Sequence, residues 1–167
     1  MITVKIFFFI GLALFVAYLW YVLKKYGVPK SLSQTYYLLK PDKKSWMFQI
    51  TLVALAFLLI SPWMELSPDW CRFMGAISCG AIMFVGAAAK YLRMEEKHIH
   101  TVAAGLAALA SVCWSIFSYK WLWLSPVICG AAGLVVSIFD WKSKTFWFEM
   151  AAFLSAFVSL IVAMFLV

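Results

Sequence analysis

The chain has 167 residues, of which 66% are hydrophobic and 13% charged. A soluble domain carries roughly 25% charged residues, so there are too few charges here to build a water-facing surface, and a globular soluble enzyme is excluded. The formal charge of +7 therefore has to be read from where the cations fall along the chain.

Six apolar stretches fill most of the sequence, at about 2–23, 46–62, 70–89, 100–118, 121–139 and 146–166. An α-helix needs roughly 20 apolar residues to cross the hydrocarbon core. In that medium every backbone donor and acceptor must be paired within the protein, which helices do locally. No strict alternation suggests barrel strands. The expected fold is all-α: a polytopic transmembrane helical bundle of six spans, forming one domain over 1–167.

The first run, Ile2 to Leu23, exceeds the about 7–15 residues of a signal-peptide core and is expected to stay as a span. Gly27 and Pro29 stop it. The loop at 24–45 is the long one, with Lys24, Lys25, Lys30, Lys40, Lys43 and Lys44. Within it Leu32, Tyr36 and Leu39 fall on one helical face, which predicts a short amphipathic helix lying on the membrane surface. The third loop adds Lys90, Arg93 and Lys97, and the fifth Lys142 and Lys144. Eleven basic residues thus lie on one side of a six-span chain, against Lys5, Arg72 and Lys120 on the other. Basic loops stay in the cytoplasm, so both termini are expected on the outer side of an inner plasma membrane. The six lysines of the first loop are expected to contact anionic lipids. The charges adjoin membrane, so nucleic acid is not an expected partner.

Aromatic residues support these boundaries. Trp20, Tyr21, Trp46, Trp63, Trp70, Tyr91, Trp121, Trp123, Trp141 and Trp147 fall at predicted edges, where an indole has its body in lipid and its N–H in the headgroups. Between spans, close packing replaces the hydrophobic effect. Small residues recur at four-residue spacing in the third span (Gly75, Cys79), the fourth (Ala103, Ala107, Ser111), the fifth (Cys129, Gly133, Ser137) and the sixth (Ala151, Ser155, Ser159). Large residues dominate the first two spans. The pattern predicts a tight bundle of spans three to six, with spans one and two peripheral. The same stripes would also serve a homo-oligomer. The four cysteines, Cys71, Cys79, Cys113 and Cys129, show no CxxC spacing and read as free thiols, although Cys71 and Cys113 lie at similar depth.

Three clusters carry candidate chemistry. Glu149 is the acid well inside a span, about one turn from the cytoplasmic end of the sixth. Such residues face a partner, water or a pathway; loop lysines are the expected partners. Glu96, His98 and His100 open the fourth span, where two imidazoles and a carboxylate suit a divalent metal or acid–base work. His-x-His, however, puts the rings on different helix faces. Glu65, Asp69 and Arg72 read as a solvated turn with an ion pair. No P-loop, nucleophile elbow, dinucleotide fingerprint or EF-hand is visible, and no cofactor is expected.

The stretch from Phe84-Val85-Gly86 to His100-Thr101-Val102-Ala103-Ala104 resembles part of the Frag/DRAM/Sfk-type six-span proteins and related bacterial membrane families. In those a third span ends in a short loop, and a histidine opens a small-residue-rich fourth span. That histidine would here be His100 or His98. The loop has Ala88-Ala89-Lys90 where those families lead one to expect proline. The resemblance implies a role in lipid organisation or membrane trafficking. The leading expectation is a non-enzymatic bundle that binds or conducts a small ion or lipid. Two alternatives stay open: an enzyme acting on lipid headgroups at the cytoplasmic face, and an accessory subunit of a membrane complex.

Overall fold

The computed structural model describes residues 2–89 and 94–166, with the side chains of all but 94–97. Seven α-helices carry the described chain: α1 (Ile2–Tyr26), α2 (Gln34–Leu38), α3 (Trp46–Leu66), α4 (Arg72–Ala87), α5 (Met94–Ser118), α6 (Leu124–Phe139) and α7 (Lys144–Leu166). Two 3-10 turns, Asp69–Cys71 and Trp141–Ser143, lead into α4 and α7. Five stretches are long and apolar enough to cross a membrane; α6 is a shorter apolar helix. Its 16 residues span about 24 Å. Backbone bonds from Leu122 to Tyr119 and from Ser125 to Leu122 coil the chain just before it.

Helix ends follow local chemistry. Gly27 takes a positive φ of 72°, open to glycine at no steric cost, and its N–H closes α1 on the Leu23 carbonyl at 3.0 Å. The second span is expected over about 46–62, and α3 runs on through Pro62 to Leu66. A proline inside an apolar helix removes one donor, here the one the Leu58 carbonyl would use, and is tolerated there. The carbonyls at the C-terminal end of α3 are met by side chains: Ser67 Oγ donates to the Trp63 carbonyl, and Tyr119 Oη donates to the Leu66 carbonyl at 2.9 Å. Trp114 Nε1 in turn donates to Ser67 Oγ at 2.7 Å, and its ring meets Trp63 edge-on. This aromatic knot closes the bundle at the end away from the basic loop.

The helices α1, α3, α4 and α5 pack as successive neighbours, and α7 closes the bundle against α5 and α3. Phe8 and Phe15 of α1 reach Phe157 and Phe153 of α7. The expected division of spans is corrected on two points. The second span is central: Leu52, Leu55, Leu59 and Trp63 of α3 are each 1% exposed or less. The fifth, α6, is peripheral and packs almost wholly against α7. In lipid, large apolar side chains suit core and periphery equally, so size alone does not separate them.

Small residues do mark the close approaches. A Cβ on Gly75 would lie 2.8 Å from Trp63 Cβ, and one on Gly133 would lie 2.8 Å from Ala151 Cβ. Ser125 Oγ crosses from α6 to the Ser155 carbonyl of α7 at 2.8 Å, and Ser78 Oγ crosses from α4 to the Ala107 carbonyl of α5 at 3.1 Å. All four cysteines are free thiols. Arg72 pairs with Asp69 at 3.0 Å, as the sequence leads one to expect.

Candidate functional site

The first loop is not laid on the surface. Leu32, Tyr36 and Leu39 form the expected apolar face, but that face is buried in the end of the bundle, with Leu39 at 0% exposure. The correction has a physical cause: the segment carries polar groups that the spans meet. Ser33 and Thr35 are buried with it. Thr35 Oγ1 bonds Tyr18 Oη of α1. Ser33 Oγ lies 2.7 Å from His100 Nε2 of α5. The Phe146 N–H of α7 donates to the Lys30 carbonyl at 3.1 Å, and the Leu32 N–H donates to Glu149 Oε2 at 2.5 Å. Residues 30–35 are thus latched to three spans.

Glu149 sits in the second turn of α7 and is half-buried. Among the described residues its partner is the Leu32 backbone N–H; of the expected loop-lysine partners, the side chains of Lys90 and Lys97 lie outside the described residues. Among the described residues the ion pairs are Lys25–Asp42 and Arg72–Asp69, and Glu149 belongs to neither. It lines a cavity of about 80 Å³ between α3, α4, α5 and α7. On α7 the lining residues are Glu149, Ala152, Phe153, Ala156 and Phe157, one helical face. On α5 they are Ala104, Ala107, Ala108 and Ser111, again one face. Leu32 and Ser33 form the wall at the basic-loop end, and Trp63 belongs to the wall from the opposite end. The α3 contribution runs from Leu52 to Trp63, about 16 Å of helix, so the space is a slot along the bundle axis. Its wall is almost wholly hydrocarbon. Ser78 and Ser111 supply hydroxyls, each donating to a backbone carbonyl of α5. Trp63 Nε1 is buried and has no hydrogen-bond partner among the described residues.

The two imidazoles of the histidine cluster do not come together. His100 is 6% exposed and bridges the Ala88 carbonyl, at 3.0 Å from Nδ1, to Ser33. His98 is exposed and borders an outward groove between α4 and α5. The Glu96 side chain lies outside the described residues. Among the described residues no three His, Cys, Asp or Glu side chains converge as a metal site would require. The rings turn to different faces because two residues of helix rotate a side chain by about 200°.

Lys24, Lys25, Lys30, Lys40, Lys43 and Lys44 are all exposed. Three have local partners. Lys25, with Tyr26, bonds the Asp42 carboxylate and holds its carboxyl below the usual range. Lys24 lies over the Trp20 ring, 4.7 Å from its centroid. Lys44 donates to Tyr21 Oη at 3.1 Å. Sequence reasoning missed Tyr18, Ser33 and Thr35. Tyr18 had a readable signal: a phenol well inside an apolar run needs a partner.

Comparison with protein-family models, with curated proteins and with solved structures finds no match to this chain. The residues themselves define an apolar helical bundle, compatible with an integral membrane protein, that carries a carboxylate-bearing internal cavity.

Proposed function

We propose that the chain is a six-span protein of the inner plasma membrane, with both termini outside, whose bundle binds a small ligand at Glu149. The observation that carries this reading is the carboxylate on the wall of the cavity, a costly placement that favours a binding role. The latch formed by residues 30–35 contributes Leu32 and Ser33 to the cavity wall at the basic-loop end, which on this reading makes the cytoplasmic side the side of entry. The exposed loop lysines around it suit anionic headgroups. The resemblance to six-span families points the same way, toward organisation of membrane components. The headgroup-enzyme reading draws on His98, His100 and Glu96; it is weakened because one imidazole faces outward while the other holds Ser33. No specific observation favours an accessory subunit.

Two measurements test this. Single cysteines at residues 43 and 142 are expected to react with a membrane-impermeant maleimide from the cytoplasmic side only; opposite sidedness rules out the six-span orientation. For the site, saturation-transfer NMR on the detergent-solubilised protein is expected to detect a three-carbon solute bound in the cavity. Ala104→Leu and Ala152→Leu, which fill the slot from two helices, are each expected to remove the signal. Retained binding in both folded variants places the ligand elsewhere.

A further inference from the structure

We infer that the ligand is a short primary alkylammonium ion, with its charge on Glu149 and its hydrocarbon arm in the slot. This rests on the ligand-binding reading above and gives it a chemical class. An ionised carboxylate offers about four acceptor positions on its two oxygens. Glu149 receives one donor among the described residues, the Leu32 N–H on Oε2. Among the described residues no side-chain cation pairs with it: Lys25 is held by Asp42, Lys44 turns to Tyr21, and the His100 imidazole is engaged by Ser33 and Ala88. An acceptor left short of donors beside hydrocarbon favours a guest that brings both N–H groups and positive charge.

The rest of the wall selects among such guests. An anion would meet Glu149 as a like charge. A bare metal cation needs about six oxygen ligands in one shell, and the hydroxyls of Ser33, Ser78 and Ser111 sit on three separate elements along the slot. A neutral alcohol fits the hydrocarbon but brings no charge. An alkylammonium ion fills both demands. Size sets its length: about 80 Å³ is roughly half of a cavity that admits benzene, which corresponds to about three or four carbons. Trp63, a lining residue of the same cavity, carries a buried indole N–H without a hydrogen-bond partner among the described residues.

The test compares n-propylammonium, n-propanol and propionate on the full-length protein in detergent, by saturation-transfer NMR with competition. Propylammonium is expected to bind at least about tenfold more tightly than propanol, the size of one hydrogen bond to a charged group, and propionate is expected not to bind. Hexylammonium should bind more weakly than propylammonium because its arm needs more volume than the about 80 Å³ of the cavity. Glu149→Gln, whose amide oxygen still accepts from Leu32, should bring propylammonium down to the level of propanol; thermal unfolding verifies that the variant is folded. Should propanol or propionate match propylammonium in the native protein, the ammonium assignment is overturned while the cavity remains a ligand site. Should none of the three bind to folded protein, the ligand-binding reading itself falls.

Discussion

Replacing Gly133 by leucine is expected to detach α6 from the bundle. The first added carbon would already lie 2.8 Å from Ala151 Cβ and 3.3 Å from the Trp147 carbonyl oxygen. Neither neighbour is the loose end of a side chain, so only a shift of the whole helix relieves the overlap. Overpacking of this kind costs about 1–3 kcal/mol, and α6 has almost no contact other than α7 to compensate. Lost with the approach is the Ser125–Ser155 hydrogen bond between the two helices. For a chain of this size, 2–3 kcal/mol lowers the unfolding midpoint by roughly 4–12 °C. Gly130 is the internal control: it lies on the same helix, and a Cβ there meets nothing within 4 Å. Gly130→Ala should be neutral or stabilising by up to about 1 kcal/mol through helix propensity. Equal midpoints for the two variants would show that the α6–α7 contact does not depend on backbone closeness.

The second large effect is expected at the latch. Removing the imidazole in His100→Ala leaves Ser33 Oγ and the Ala88 carbonyl short of a partner in a site nearly closed to water. A buried polar group left unmet costs about 1–3 kcal/mol. The penalty falls on residues 30–39, whose other ties among the described residues include Tyr18–Thr35, Phe146–Lys30 and Glu149–Leu32. Local opening of that segment should become about 5–30-fold more frequent, since 1–2 kcal/mol is worth that factor. Hydrogen–deuterium exchange reads it directly: amides 30–39 should exchange faster, while those in the middle of α3 and α7 keep their protection. Unchanged exchange in 30–39 would assign the loop's position to the packing of Leu32, Tyr36 and Leu39 alone.

The helices were legible in the sequence because each needs a long apolar run, and the chain has little else. Their arrangement was only partly legible. Gly75 and Gly133 flag real close approaches, since a missing side chain admits a neighbour wherever it sits. Leu52, Leu55 and Leu59 gave no such signal, because a leucine faces lipid and core with equal ease. The apolar face of the 32–39 segment was readable from its spacing; what it docks on was not, because bilayer and bundle present the same hydrocarbon. Glu149 stood out as an acid inside a span. Its donor, an N–H 117 residues earlier in the chain, leaves no trace in composition, since every residue but proline carries the same group. The histidines were identified as polar candidates, but the role of His100 depends on Ser33 and Ala88, brought to it by the fold.

The knot of Trp63, Ser67 and Trp114 makes the two ends of the bundle unequal. Both indoles are 1% exposed or less and meet edge to face, 5.9 Å apart, whereas the opposite end is shut by a segment hung on a few polar ties. On the binding reading proposed above, a guest admitted past the 30–35 segment would leave by the same route, and the bundle would hold it as a reservoir does.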